Sequence, residues 1–320
     1  MASQNVLIAG EALVDMFPTT RGPLADVETF ERRAGGAPAN LAVAMTRLGT
    51  APYLWTRLGS DPFGDHLADV LDRENVPDRF VEVDPDRKTA HTLVGDDPAA
   101  DQSFVFYKEG TATMAMEPET VPDDVLADLE WVHFGGVMLC EEPARAAMFD
   151  LAERAQAAEC TVSFDPNTRK DLWPDPAELE PTMRSALELA DVVKTDREDL
   201  SILLEPVEDS IEAVAEKLTA YGPHTVLLTQ GADGTYALAT DDAPWGPAET
   251  DRPAFEVDAL DTTGAGDAFT AGAITALLEG SSLADAIRFA NAVGALTTTE
   301  TGAMAPLPTR EAVEELLKST

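Results

Sequence analysis

The chain has 320 residues, 44% of them hydrophobic, enough for one large buried core without disulfide or metal staples. Against 22 Lys plus Arg stand 59 Asp plus Glu, a formal net charge of -37 that makes the surface repellent to nucleic acid and to anionic membranes. The two cysteines, Cys140 and Cys160, have no zinc or redox spacing, and His66, His91, His133 and His224 are scattered, which argues against a metal cage or a catalytic triad.

The chain opens on Val6-Leu7-Ile8-Ala9, too short an apolar run for a signal peptide and without a basic leader. With no run of about 20 apolar residues anywhere, a soluble, cytoplasmic protein is expected. Short β-prone runs over Val6–Leu13, Tyr53–Leu58, Trp131–Val137, Thr161–Phe164, Asp191–Val193 and Thr225–Leu228 read as buried strands. Helical patterns lie between several of them: Leu41, Ala44, Met45 and Leu48 share one face, and Ala144–Ala158 and Ile211–Ala220 are alanine-rich. Strand alternating with helix predicts an α/β fold with a mostly parallel sheet covered on both faces. Asp209 with Glu212 three residues later reads as a capping box for the helix that ends near Tyr221-Gly222-Pro223. Phe17–Arg33, and His91–Val94 with Ser103–Tyr107, break the alternation and are expected to form a small antiparallel lid over a site. Without a repeat or a Gly/Ser linker, the chain reads as one domain over 1–320, its lid formed by two inserted segments at roughly 12–34 and 88–113.

The stretch Val257 to Phe269 contains Asp261-Thr262-Thr263-Gly264-Ala265-Gly266-Asp267 and runs into a small-residue helix, Thr270–Leu278. Gly264 and Gly266 allow a tight turn and leave amides unobstructed where a helix begins, which is an anion site. Asp267 stands at its mouth, placed to accept a proton from a hydroxyl attacking a γ-phosphate. Phosphoryl transfer through a loose transition state asks for positioning and charge stabilisation, so an ordinary carboxylate suffices. A plain turn with Asp267 as helix cap fits the loop equally well. It is neither a dinucleotide fingerprint nor a Walker loop. A second glycine-rich element, Ala34-Gly35-Gly36-Ala37-Pro38-Ala39-Asn40, leads into a helix over Leu41–Leu48; Asn40 offers donor and acceptor to a polyol, or caps the helix.

Together these two elements resemble the PfkB (ribokinase) family of sugar kinases, from Gly35-Gly36 through Asn40 to Gly49 and Gly59, and from Asp261 to Ile274. The resemblance extends from Gly10-Glu11 to Gly302. It implies a ribokinase-like three-layer α/β/α fold with a small β-sheet lid, ATP and Mg²⁺ as cofactors, and K⁺ near the Asp261–Asp267 loop. The catalytic set it implies is Asp267 as base, Gly264, Ala265 and Gly266 around the phosphate, and Arg169 beside the transferred charge. Asp15 of Gly10-Glu11-Ala12-Leu13-Val14-Asp15 would bind sugar hydroxyls together with Gly35, Gly36, Asn40, Asn167 and Asp261. Tyr107 and Lys108 fall where the family's flap reaches over the substrate. Many relatives have Arg at the second position, and Lys keeps the cation without the planar fork. Lys194, Thr229, Gly231, Gly234, Gly266 and Asn291 would contact the nucleotide. Glu198 would organise water around Mg²⁺, although Thr195 stands where the family's Asn-x-x-Glu has Asn. Flap edges in this family often pair between subunits, so a homodimer through the lid is implied.

Asp165-Pro166-Asn167-Thr168-Arg169 before Leu172-Trp173 looks like the fructokinase and 2-keto-3-deoxygluconate kinase branch, and Gly35 to Asn40 is closer to fructokinases. Conversion of D-fructose to fructose 6-phosphate is therefore expected, with 2-keto-3-deoxygluconate kinase or another PfkB sugar kinase as the alternative, since Arg169 would suit an acidic sugar. A non-catalytic sugar- or nucleotide-binding protein is the remote alternative, as Asp267, the glycines and Glu198 are all present. A nicotinamide-dependent dehydrogenase lacks its fingerprint.

The acidic residues are spread through the chain at helix-like spacing, as in Glu141-Glu142 and Glu311 to Glu315, and so are expected on the folded surface. A salt-rich cytoplasm, as in a halophile, is the expectation, with a merely soluble acidic protein as the alternative. At molar salt the Debye length is about 3 Å and the self-repulsion is screened. Thermal unfolding followed against KCl is expected to show a rising midpoint from millimolar to molar salt; equal stability at both ends would remove the halophile reading.

Overall fold

The computed structural model describes residues 4–95, 103–197, 199–200 and 210–319. Its central sheet is built from β1 (Val6–Ala9), β4 (Tyr53–Gly59), β5 (Val81–Asp84), β8 (Trp131–Gly135), β9 (Thr161–Asp165), β10 (Val192–Asp196), β11 (Thr225–Thr229), β12 (Thr235–Ala239) and β13 (Ala248–Arg252). Their order across the sheet is β13-β12-β11-β10-β9-β8-β1-β4-β5. The seven strands from β11 to β5 run parallel, and β12 and β13 close one edge as an antiparallel pair.

Both faces of the inner strands are dry, which is why β1, β8, β9 and β11 read as continuous apolar runs, whereas the edge strands β5 and β13 are partly exposed. Successive side chains point to opposite faces. Val6, Ile8, Trp131, Val192 and Leu227 pack into one layer, and Leu7, Ala9, Val132, Val193, Val226 and Leu228 into the other. The first layer is covered by α1 (Ala37–Arg47), α2 (Pro62–Arg73), α7 (Ala265–Leu278), α8 (Leu283–Thr297) and α9 (Arg310–Ser319). The second is covered by α4 (Ala144–Ala157), α5 (Leu179–Glu188) and α6 (Ile211–Thr219), with the single turn α3 (Asp123–Leu126) at its side.

Several boundaries differ from those expected. The run Val6–Leu13 divides at Gly10, whose φ of 147° redirects the chain out of the central sheet while its N–H donates to the Trp55 carbonyl at 3.0 Å. Helix α1 begins at Ala37, with Pro38 in its first turn where a missing N–H costs nothing, so Asn40 lies inside the helix and does not cap it. Helix α7 likewise starts five residues before Thr270. The cap of α6 is Ser210, whose Oγ accepts from the Ala213 N–H; Asp209 lies outside the described residues.

Residues leaving the main sheet build a second one from β2 (Leu13–Pro18), β3 (Phe30–Gly35), β6 (His91–Gly95) and β7 (Ser103–Tyr107), in the order β3-β2-β6-β7. It is mixed, not wholly antiparallel: β2 and β6 run parallel because the chain between them crosses through β4, α2 and β5 before returning. Among the described residues no helix is long and apolar enough to cross a membrane.

Helices α7 and α8 pack closely enough that a Cβ on Gly272 would lie 2.9 Å from the Ala290 Cα. Replacing Gly272 by Leu is expected to destabilise the fold by about 2 kcal/mol or more through overpacking, measured by denaturant unfolding at fixed high salt. A neutral result would mean that the two helices are not locked in this register.

Candidate active site

Carboxyl ends of parallel strands are where α/β sheets place ligands. Here the ends of β1, β8, β9 and β10, the first turns of α1 and α7 and the inner face of the small sheet enclose a cleft of about 680 Å³. The two glycine-rich elements meet across it. Asn40 Nδ2 donates to Asp267 Oδ2 at 2.9 Å, although the residues are 227 positions apart in the chain.

The loop before α7 is held from behind. Asp261 Oδ1 accepts from the Thr263 N–H at 3.0 Å and its hydroxyl at 2.6 Å, and Oδ2 accepts from the Gly302 N–H at 2.8 Å. Burial alone would raise the Asp261 carboxyl, but these donors and the nearby Arg33 hold it below the usual carboxylate range. Both of its oxygens are therefore committed to the loop, and Asp261 is not among the cleft-lining residues, unlike the sugar contact expected of it. Gly264 caps α7 at φ 80°, a left-handed position where a Cβ would also lie 2.8 Å from the Ala303 Cα. No side chain caps this helix. Asp267 is thus not a cap: its carboxylate turns to Asn40. The Ala265 N–H donates to the Thr262 carbonyl at 3.2 Å, and the Gly266 and Asp267 amides of the first turn present the positive end of the helix to the cleft.

Asp15, Gly36, Asn40, Asn167, Arg169, Lys194, Gly264, Gly266 and Asp267 all line the cleft. Gly35 supports Asp15 from beneath, since a Cβ there would fall 2.0 Å from Asp15 Oδ2. Asn167 takes φ 37° in an Asx turn, its N–H donating to Asp165 Oδ1 at 3.1 Å. Arg169 Nη1 donates to the Thr168 carbonyl at 3.1 Å.

Other expected residues lie elsewhere. On β7 the alternation of a strand sends Phe104 and Phe106 into the cleft and leaves Val105 and Tyr107 outward, 41% and 49% exposed. Tyr107 stacks on His91 with ring centroids 4.8 Å apart. Lys108 is buried beneath the small sheet, where Nζ donates to the Cys140 and Met114 sulfurs. Thr229 borders a separate hollow of about 30 Å³ with Asp196 and Arg197. Gly231 (φ 60°) and Gly234 (φ 103°) turn the chain into β12, and a Cβ on Gly234 would lie 2.1 Å from the Arg252 carbonyl. Asn291 has its amide engaged within the protein. It accepts from Thr235 Oγ1 at 2.7 Å and donates to the Arg252 and Pro253 carbonyls at 3.2 and 3.1 Å, so it ties the β12–β13 hairpin to α8. Glu198 lies outside the described residues.

Residues that sequence reasoning passed over also line the cleft: Glu11, Thr92, Phe104, Phe106, Asp165, Asp196 and Asp199. Asp165 and Asp196 end β9 and β10, and an acid at the carboxyl end of a parallel strand is a signal available from sequence. The Phe pair could have been separated from Tyr107 by strand alternation; Asp199 carried no such signal.

So many acids in one place cannot all ionise freely. Burial, with Asp267 nearby, pushes Asp15 up to about 7. Burial raises Glu11 to about 7 against the pull of backbone donors. Asp199, buried beside Asp165 and Asp196, also rises to about 7 while accepting from the Thr168 N–H at 2.6 Å. Asp267 keeps one edge open to the cleft but is otherwise enclosed; burial raises it to about 6 against the donation from Asn40. Lys194 Nζ donates to Asp165 Oδ2 at 3.1 Å. Burial opposes its charge, yet Asp165, Asp199 and Asp196 keep its pKa above that of an ordinary lysine.

A helix start with a carboxylate beside it, facing a cleft of carboxylates and amides with room for a polyol, fits a sugar phosphotransferase. The chain belongs to the pfkB family of carbohydrate kinases, whose family model matches residues 3–310, and it is an ATP-dependent sugar kinase. It is 34% identical over 312 residues to the fructokinase of Vibrio alginolyticus, covering 96% of each chain. The crystal structure of a fructokinase from Xylella fastidiosa with bound ATP superposes with a TM-score of 0.88 at 31% identity, covering 99% of both chains. A fructokinase double mutant from Vibrio cholerae O395, with fructose, ADP and a potassium ion bound, superposes at 0.84 and 31% identity over 98% of this chain and 99% of its own. The ribokinase-like α/β fold expected from the motifs is thus the observed one.

The raised acids set the acid side of the stability curve. Glu11, Asp15 and Asp199 are raised from 4.5, 3.8 and 3.8 to about 7, so the folded state holds more protons than the unfolded chain between those limits. Their contribution is fully present below pH about 4 and is lost as pH rises through about 7. At molar salt the unfolding midpoint of the ligand-free protein is expected to fall over that window, and Asp199→Asn to flatten the fall. An unchanged slope in the variant would overturn the assignment.

Proposed function

We propose that this protein is an ATP-dependent fructokinase, which transfers the γ-phosphate of ATP to the 6-hydroxyl of D-fructose. The observation that carries this reading is the Asn40–Asp267 hydrogen bond, which fixes a carboxylate between a polyol-binding wall and a helix start that gathers anions. Asp15, Asn40 and Gly36 hold sugar hydroxyls, and Phe104 and Phe106 cover the ring's apolar face. The small sheet acts as a lid, its segments running over roughly 12–34 and 88–113, and it excludes water from the transfer. The 6-hydroxyl oxygen attacks the γ-phosphorus, its proton passes to Asp267, and the bond to the bridging oxygen breaks with the electron pair leaving on ADP. The Gly264, Ala265 and Gly266 amides, Arg169 and Lys194 lie where negative charge spreads over the transferred group. Asp165, Asp196 and Asp199 on the cleft wall are oxygen donors of the kind that hold Mg²⁺ through its waters, and Glu198 joins them in this reading. Bound with the nucleotide, Mg²⁺ supplies neutralisation of the phosphate oxygens.

Three further features belong to the same reading. K⁺ is placed beside the Asp261–Asp267 loop in this reading; the Vibrio cholerae relative binds a potassium ion. A homodimer forms through the outward face of the lid at Val105 and Tyr107. The enzyme works in a salt-rich cytoplasm. Arg169 in the cleft favours one rival substrate, the acidic sugar 2-keto-3-deoxygluconate.

Asp267→Asn is expected to lower kcat on the order of a hundredfold to ten-thousandfold with little change in KM for ATP or fructose; near-parental turnover would refute its role as base. Parent kcat/KM is expected to rise with pH through about 6 as Asp267 ionises. A panel of fructose, 2-keto-3-deoxygluconate, ribose, glucose and adenosine with Mg²⁺ and ATP in high salt identifies the substrate. Preference for the keto acid would replace the fructose reading.

A further inference from the structure

A smaller hollow of about 10 Å³, the room of roughly one water molecule, lies behind the cleft. Pro38 and Leu41 of α1 and Thr270 of α7 wall it, and four titratable groups reach it: Asp267 from α7, Glu11 after β1, His133 from β8 and Asp165 from the end of β9. Asp267 and Glu11 thus border both the cleft and this hollow. Two of the neighbours of Asp267 are already committed. Asp165 accepts from the Asn167 N–H and from Lys194, one on each oxygen. His133 Nδ1 is bound to Ser163 Oγ at 2.8 Å, and burial, with Lys194 nearby, presses its pKa to about 3, so it stays neutral. Glu11 differs. It is 4% exposed, Oε1 accepts from the Ala37 N–H at 3.3 Å, and the buried Oε2 has no partner.

We propose that Glu11 receives, through one water in this hollow, the proton that Asp267 takes from the sugar, and so returns Asp267 to its ionised form. The inference rests on the kinase reading above. Asp267 gives the proton to the water while the water gives one of its own to Glu11 Oε2. Asp267 ends as carboxylate, Glu11 as carboxylic acid, and the water is unchanged. Burial raises both carboxyls above the usual carboxylate range, so Glu11 is able to hold a proton near neutral pH. The charged groups facing Glu11 are Asp267, which raises it, and Arg169, which lowers it, with the neutral His133 and the Lys194-paired Asp165 across the hollow. Because it acts through Asp267, Glu11 is a positioning residue. The two carboxyls titrate as a pair, so their pH behaviour belongs to both.

Glu11→Gln keeps an oxygen for the Ala37 N–H and removes the proton acceptor. The variant is expected to lose about tenfold or more in kcat with KM for fructose and ATP unchanged. The ascending limb of its pH–rate profile should follow one ionisation in place of two. Parental kcat with a two-ionisation limb overturns the proposal, and so does a reduced kcat whose limb still needs two, since that marks a merely structural role. Parent turnover in the same series separates this failure from failure of the kinase reading. Infrared spectra of the ligand-free protein give a readout without turnover: between about pH 5 and pH 8 the parent should lose one more protonated-carboxyl band than the variant. Identical band loss in both would also overturn it.

Discussion

The hydrogen bond from Asn40 to Asp267 holds the site together. It ties the first turn of α1 to the first turn of α7, and both helices lie on one face of the central sheet. Everything else in the cleft is arranged around that bond. Gly35 and Gly36 bring β3 into α1 closely enough that Asp15 and the Glu11 backbone stand directly over them. On the other side, Asp261 braces the loop through Thr263 and Gly302 so that Gly264 can start α7 in a left-handed turn. A carboxylate held by an amide donor on one side and a helix start on the other keeps its position, as the base role proposed for Asp267 requires.

Electrostatic crowding is the second constraint. Glu11, Asp15, Asp165, Asp196, Asp199 and Asp267 share the cleft with Lys194 and Arg169. Burial first, and neighbouring negative charge second, raises several acids toward neutrality, and the neighbouring carboxylates keep Lys194 charged despite burial. A ligand-free site of this kind is strained in its charge balance, which a nucleotide entering with divalent metal would change. The acidic surface follows the same physics at larger scale, with salt in the role of screening.

Some expectations survived only as structure. Asp261 and Asn291 look like ligand contacts when motifs are read residue by residue, yet each uses its polar atoms to bind backbone or neighbouring side chains. Tyr107 and Lys108 fell one strand register and one layer away from the cleft. Glu11 stood in plain view beside Gly10 and carried no sign of its buried, partnerless oxygen.

The amino-acid sequence by itself determined the α/β alternation, the family, the loop from Gly264 to Asp267 and the partner element ending at Asn40, because these depend on short-range patterns: apolar periodicity, glycines where φ must be positive, and fixed motif spacing. It left open whether Asp267 caps its helix, which face of β7 looked inward, and which polar side chains were already satisfied. Tertiary structure decided those, since hydrogen-bond partners 227 residues apart, strand register and burial arise only when the layers pack. The same packing placed Glu11 with Asp267 on one hollow and left one of its oxygens with nothing to hold.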